Sequence, residues 1–170
     1  MGIEIEKASL LFRASKDGFS AKQFHHLCDQ KGPTLSLIKN DKGRIFGGFS
    51  SVPWRSDYSF SPDPHAFLFS LTTKTIHRLS KPLTDKALYM NGEFMMIYGC
   101  GDVMISNECN NKDGDPSKLS FSRLGQEYEL PQIGCHPLVN DQESTMFCLG
   151  GTHQFNIVEI EVFHVNIKAA

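Results

Sequence analysis

The stretch NECNNKDGDP, residues 107–116, crowds three acids, three asparagines and a glycine into ten residues. Carboxylate and amide oxygens at this density are what a calcium ion takes as ligands. Asn111, Asp113 and Asp115 are the candidate ligands. An EF-hand loop needs an acid first, Gly sixth and Glu twelfth. Setting Gly114 sixth puts Asn111 third and Asp113 fifth, but Cys109 first and Ser120 twelfth. Both ends fail, and no helical pattern precedes the loop. The spacing favours a solvated strand connection, in which Asn and Gly tolerate positive φ. A calcium site of another geometry, across residues 107–116, stands as an alternative.

Other residue sets could carry catalysis. Glu159 and Glu161 lie two apart in a strand-like run and so point to one face. They could act as acid and base if that face lined a cleft. A solvated face, or pairing with nearby Lys and Arg, is the favoured reading. Asp102 is a third candidate acid. A reactive thiol needs a depressed pKa and some exposure. Cys100 has Asp102 nearby and no adjacent cation, whereas Cys135 has His136 beside it, which makes Cys135 the candidate thiol. Seven scattered His show no zinc-ligand spacing. Gly99 and Gly101 resemble half of a dinucleotide-binding loop, but DVMIS follows as a strand and the third Gly is missing. GGFSS is not a nucleophile elbow. No cofactor is expected.

These residues must be positioned by a chain of 170 residues, enough for one domain, 1–170, with its own core. Hydrophobic residues make up 40% and the net charge is −2, which describes a folded chain with no sequence-wide pull towards nucleic acid. Five Cys, an odd number without a Cys-x-x-Cys pair, fit a reduced, cytoplasmic protein better than a disulfide scaffold. MGIEIEKASLLF carries acids where a signal peptide is apolar, and Glu6 stands where a myristoylation signal needs Ser or Thr. The apolar runs are too short to span a bilayer, so no membrane insertion is expected, and the protein is expected to be a monomer.

One helix is legible. Ser20 can cap it, Gln23 completes a capping box, and Phe24, Leu27 and Cys28 share an apolar face, with Gly32-Pro33 as the stop. After Pro33 the pattern is that of strands. TLSLIK, a turn at residues 40–43 and RIFGGFSS read as a hairpin. SDYSFSPDP, residues 56–64, reads as a loop. AFLFSLTT, TIHRLS, ALYM, EFMMIYG, DVMIS, KLSFS and FNIVEIEVFHV read as further short strands. In the last, Val158, Ile160 and Val162 form the expected core face. Residues 126–145 could hold a short helix or only loop. Trp54, the only Trp, is expected to pack in the core rather than mark a partner surface. The sum is a β-rich α+β domain, a two-layer antiparallel β-sandwich flanked by a few short helices.

The segments LLFRASKDGFSAKQFHHLCDQKGPTLSLIK, IFGGFSSVPW, AFLFSL, YGCGDVMISNECN, SRLGQEY and FNIVEIEVF, in this order, resemble the TLDc domain family over about residues 9–165. The family comprises oxidation resistance and nuclear receptor coactivator 7-like proteins and many protist relatives. SRLGQEY resembles its protist members. The matching positions are Phe46, Gly47 and Ser51 in the Phe-Gly strand, Trp54 after it, Gly99, Gly101 and Asp102 in the glycine-rich turn, and Glu161 in the last strand. Cys100 stands where relatives often have Gly. The resemblance implies a β-sandwich, protection against oxidative stress, and binding and regulation of the vacuolar proton pump (V-ATPase). It implies no established reaction. The expectation is therefore a non-catalytic protein-interaction module. The alternatives are an enzyme (a peroxide-consuming thiol protein or a hydrolase) and a calcium- or metal-responsive module.

Overall fold

The computed structural model describes residues 4–130 and 149–168. Two antiparallel six-stranded sheets face each other across the core. The first sheet holds β1 (Ile5–Arg13), β2 (Thr34–Asn40), β3 (Ile45–Ser50), β5 (Phe67–Ser70), β6 (Thr75–Arg78) and β12 (Ile157–Ile167), in the order β1-β12-β2-β3-β5-β6. The second holds β4 (Ser59–Ser61), β7 (Leu88–Met90), β8 (Met96–Tyr98), β9 (Val103–Ile105), β10 (Ser120–Ser122) and β11 (Gln154–Phe155), in the order β11-β10-β9-β8-β7-β4. Among the described residues, two short α-helices, α1 (Ala14–Asp17) and α2 (Ala21–Cys28), flank the β-sandwich that the sequence leads one to expect.

The cap of α2 forms as its sequence predicts: the Ser20 hydroxyl accepts from the Gln23 N–H at 3.2 Å. The helix buries Phe24 and Cys28 but stops at Asp29, before Gly32-Pro33. Phe24 packs edge-on against Phe12 and Trp54, and Trp54 against Tyr98, so an aromatic chain ties the helix to both sheets. Trp54 is 1% exposed and its indole N–H donates to the Thr34 hydroxyl at 3.1 Å.

Three strand features differ from expectation. Ile5–Arg13 is a strand although its sequence gives no alternating signal. Among the described residues it pairs only with β12, at the edge of its sheet; it buries only Phe12, and register shifts interrupt it at two places. Ser59–Ser61, expected as loop, pairs with β7 as the opposite sheet's edge. A bulge in β12 between Ile157 and Glu159 also shifts the core face: Ile157 is buried and Val158 is 50% exposed, while Ile160 and Val162 are buried as expected. The expected short helix or loop at residues 126–145 lies largely outside the described residues.

Within the first sheet the pairing puts side chains into lateral rows. Phe12, Val162, Ser36, Gly48 and Leu68 form one row turned to the other sheet; a Cβ on Gly48 would sit 2.4 Å from the Tyr98 ring. By alternation, Gly47, Phe49, Phe67 and Phe69 point away from the core. Phe49 stacks on Phe67 with ring centroids 5.2 Å apart. A Cβ on Gly47 would meet the Phe69 ring at 2.8 Å and the Ser36 carbonyl oxygen at 1.9 Å, so a glycine is required there.

Candidate interaction site

Two buried aspartates organise the loops between strands. Asp102 is fully buried, and its carboxylate accepts four backbone N–H groups, from Gly125, Gln126 and Glu127 at 2.9 Å and Tyr128 at 3.2 Å. The glycine-rich turn and the SRLGQEY segment are thus tied together by one side chain. Burial pushes the Asp102 carboxyl above the usual range, and the four donors pull the other way. A carboxylate filled by four donors on its own backbone is committed to shape. Gly99 must be glycine to let it in: its φ is +64° and a Cβ would meet the Asp102 carboxylate at 2.1 Å. Gly101 also has positive φ, whereas Cys100 does not.

Asp63 does the same for the turn after β3. Its carboxylate accepts from the Ser51 N–H at 2.7 Å and the Ser51 hydroxyl at 2.5 Å, and from the His65 N–H at 3.1 Å. It too is fully buried. Sequence reasoning missed it because SDYSFSPDP reads as polar loop; the only signal was an acid between two prolines, which nothing local marks as buried.

The paired acids of β12 have separate partners. The Glu161 carboxylate bonds the Arg13 guanidinium at 2.6 Å. Glu159 accepts from the Ser15 N–H at 3.0 Å, which satisfies a free donor in the first turn of α1. Both lie on the outward face of the first sheet.

The acidic loop 107–116 is filled by a lysine. The Lys118 ammonium lies 2.5 Å from Glu108 and 2.6 Å from Asp113, and the pair raises its pKa. The Asp115 carboxylate accepts from the Ser117 N–H at 2.9 Å, capping a short 3-10 turn at Pro116–Lys118. Asn107 accepts from the Ala21 N–H at 2.8 Å, so the loop buttresses the start of α2. Glu108 and Asn111 take positive φ. An open groove of about 460 Å³ runs between this loop and Gly18, Phe19 and Ser20. Among the described residues no group of three His, Cys, Asp or Glu side chains could hold a metal ion.

Among the described cysteines, Cys28 and Cys109 are buried, and burial pushes each thiol up to about 12. Cys100 is exposed, its Sγ 3.6 Å from a Glu127 carboxylate oxygen, and both desolvation and that carboxylate raise its pKa. A low-pKa thiolate requires the opposite surroundings. Cys135 lies outside the described residues. No helix of the described residues is long and apolar enough to cross a membrane.

The site residues therefore divide into three groups. Gly47, Gly99, Gly101, Asp102 and Ser51 set backbone geometry, Phe46 and Trp54 are buried in the core, and Glu159 and Glu161 stand on an outward sheet face. That face carries aromatic and aliphatic side chains across four strands. The class these features define is a β-sandwich module whose loops are braced by buried carboxylates and whose sheets present outward faces. The chain belongs to the TLDc domain family, whose model matches residues 2–166. It is similar to the MTOR-associated protein MEAK7 of Danio rerio (36% identical over 93 residues, 54% of this chain and 21% of the relative). It is also similar to the Xenopus laevis (35% over 86 residues, 50% and 18%) and Mus musculus (31% over 93 residues, 54% and 20%) proteins of that name. The matched region spans about a fifth of the length of these relatives.

Proposed function

We propose that this TLDc chain is a non-catalytic protein-contact module, cytoplasmic, that protects against oxidative stress by binding and regulating the V-ATPase. The observation that carries this reading is the TLDc match over nearly the whole chain. The pump and the stress response are what TLDc resemblance implies. The association with mTOR in the relatives' name supports a role through protein contact. The braced loops suit such a role, because an interface held in place before binding loses less entropy on association.

The relatives' name also favours a second reading, in which the contact is with an mTOR-containing complex instead of the pump. Affinity capture from source lysate, with an unrelated β-sandwich as bait control, separates the two. Recovery of V-ATPase subunits supports the pump. Recovery of mTOR components without pump subunits replaces it. Recovery of neither sinks both.

A further inference from the structure

We infer that one corner of the first sheet's outward face is a docking site for an amphipathic helix of a partner protein, with acidic residues flanking the helix's apolar stripe. The inference deepens the contact-module reading and rests on it. Four apolar side chains are contiguous there. Ile45 on β3 adjoins Leu71, whose N–H bonds the Ile45 carbonyl at 2.9 Å. Two residues back along β5, Phe69 pairs with Ile76 of β6. Ile45 is 37%, Leu71 55% and Ile76 61% exposed, while Phe69, at 8%, lies buried between them. Scattered exposed apolar residues need no explanation, but a contiguous set on a sheet face does.

Charge identifies the occupant. Lys39 of β2 pairs with Ile45 and bounds the strip on one side. Arg78, two residues beyond Ile76, and Lys74, in the β5–β6 turn, bound it on the other. All three are exposed, and none forms an ion pair with another described residue. Glu159 lies across from Lys39, but its carboxylate is turned to the Ser15 N–H. Glu129, whose N–H bonds the Arg78 carbonyl at 2.7 Å, lies beside Arg78 on the outer side of the strip without forming an ion pair to it. Three strand spacings separate β2 from β6, roughly 14 Å at ~4.8 Å each. One helix, about 10–12 Å across, fits between the flanking cations with carboxylates on both of its shoulders. An anionic bilayer is the weaker match, because the whole chain carries a net charge of −2 and would be repelled outside this corner.

The test uses two synthetic helical peptides with the same apolar stripe, one flanked by Glu and one by Lys. Binding to the full chain is read by fluorescence anisotropy. Phosphatidylserine–phosphatidylcholine vesicles are assayed alongside by co-sedimentation. The Glu-flanked peptide is expected to bind at least tenfold more tightly than the Lys-flanked one. Leu71→Asp with Ile76→Asp should abolish binding, and Lys39→Glu with Lys74→Glu and Arg78→Glu should reverse the preference. Because Leu71 and Ile76 are exposed, melting should shift little; Ile76→Ser serves if the double variant does not fold. Equal binding of the two peptides, indifference to both variants, or binding to vesicles but to neither peptide would overturn the inference. Peptide binding without capture of pump or mTOR components would leave the docking site standing and remove the proposed partners. Capture undiminished by the Asp variants would do the reverse.

Discussion

At the scale of single residues, most of the acids that invite a catalytic or metal-binding reading are engaged with their own chain. The Asp102 carboxylate receives four N–H groups, and one of its oxygens receives three of them. Asp102→Asn would turn an amide NH₂ or a weaker acceptor towards donors that cannot turn away. A loss of roughly 2–3 kcal/mol is expected in urea denaturation, the scale of a broken charge-assisted network; a loss under about 0.5 kcal/mol would refute the bracing role. His77 yields a pH prediction. Its Nδ1 faces the Glu129 carbonyl and its Nε2 the Thr75 hydroxyl, both at 3.0 Å, so Nδ1 carries the proton and Nε2 accepts. Burial holds its pKa below the ordinary value. The unfolded chain, titrating near ~6.5, takes up the proton first as pH falls. The contribution to stability is therefore complete above about 6.5 and is lost below it, towards the folded value. His77→Gln should flatten the stability profile between about pH 7.5 and 5.5 relative to the parent chain. Parallel profiles would show that His77 does not titrate as described.

At the scale of elements, the bulge in β12 decides which residues meet the core. Strict alternation puts Val158 inside, whereas the bulge puts Ile157 there. Val158→Asp should change stability by under about 0.5 kcal/mol, as an exposed substitution does. Ile157→Ala should cost about 2–4 kcal/mol. The reverse order would restore strict alternation. A bulge is a non-local feature, set by the partner strand, so the alternating run EIEV could not reveal it. β1 and β4 were hidden for a different reason: β1 buries only Phe12 and the three-residue β4 only Ser61, so neither carries an alternating apolar signal to read. What local chemistry fixes was legible. The Ser20 cap, the hairpin of β2 and β3, and the glycines beside Asp102 all follow from neighbours in sequence. Asp102 stood out as a motif residue, but its role did not, because its donors come 23–26 residues later in a separate motif. Asp63 had no local marker at all. The docking corner was equally hidden, since Lys39, Ile45 and Ile76 become neighbours only through the strand order.

At the scale of the whole molecule, two sheets hold a dense aromatic core. Loops that look suited to ligands are tied down instead by Asp63, Asp102 and Lys118. Rigidity of this kind suits a chain that presents surfaces. It also explains how a loop as oxygen-rich as 107–116 can serve structure: Lys118 occupies the place between its acids, and Asn107 holds the start of α2. The claim that most needs testing is that the chain binds the pump directly. Biolayer interferometry of the immobilised full chain against the purified peripheral sector of the V-ATPase measures this. The contact-module reading predicts saturable, stoichiometric binding that Asp102→Asn weakens only as far as it unfolds the chain. Absence of binding by a folded chain would contradict direct binding to the pump.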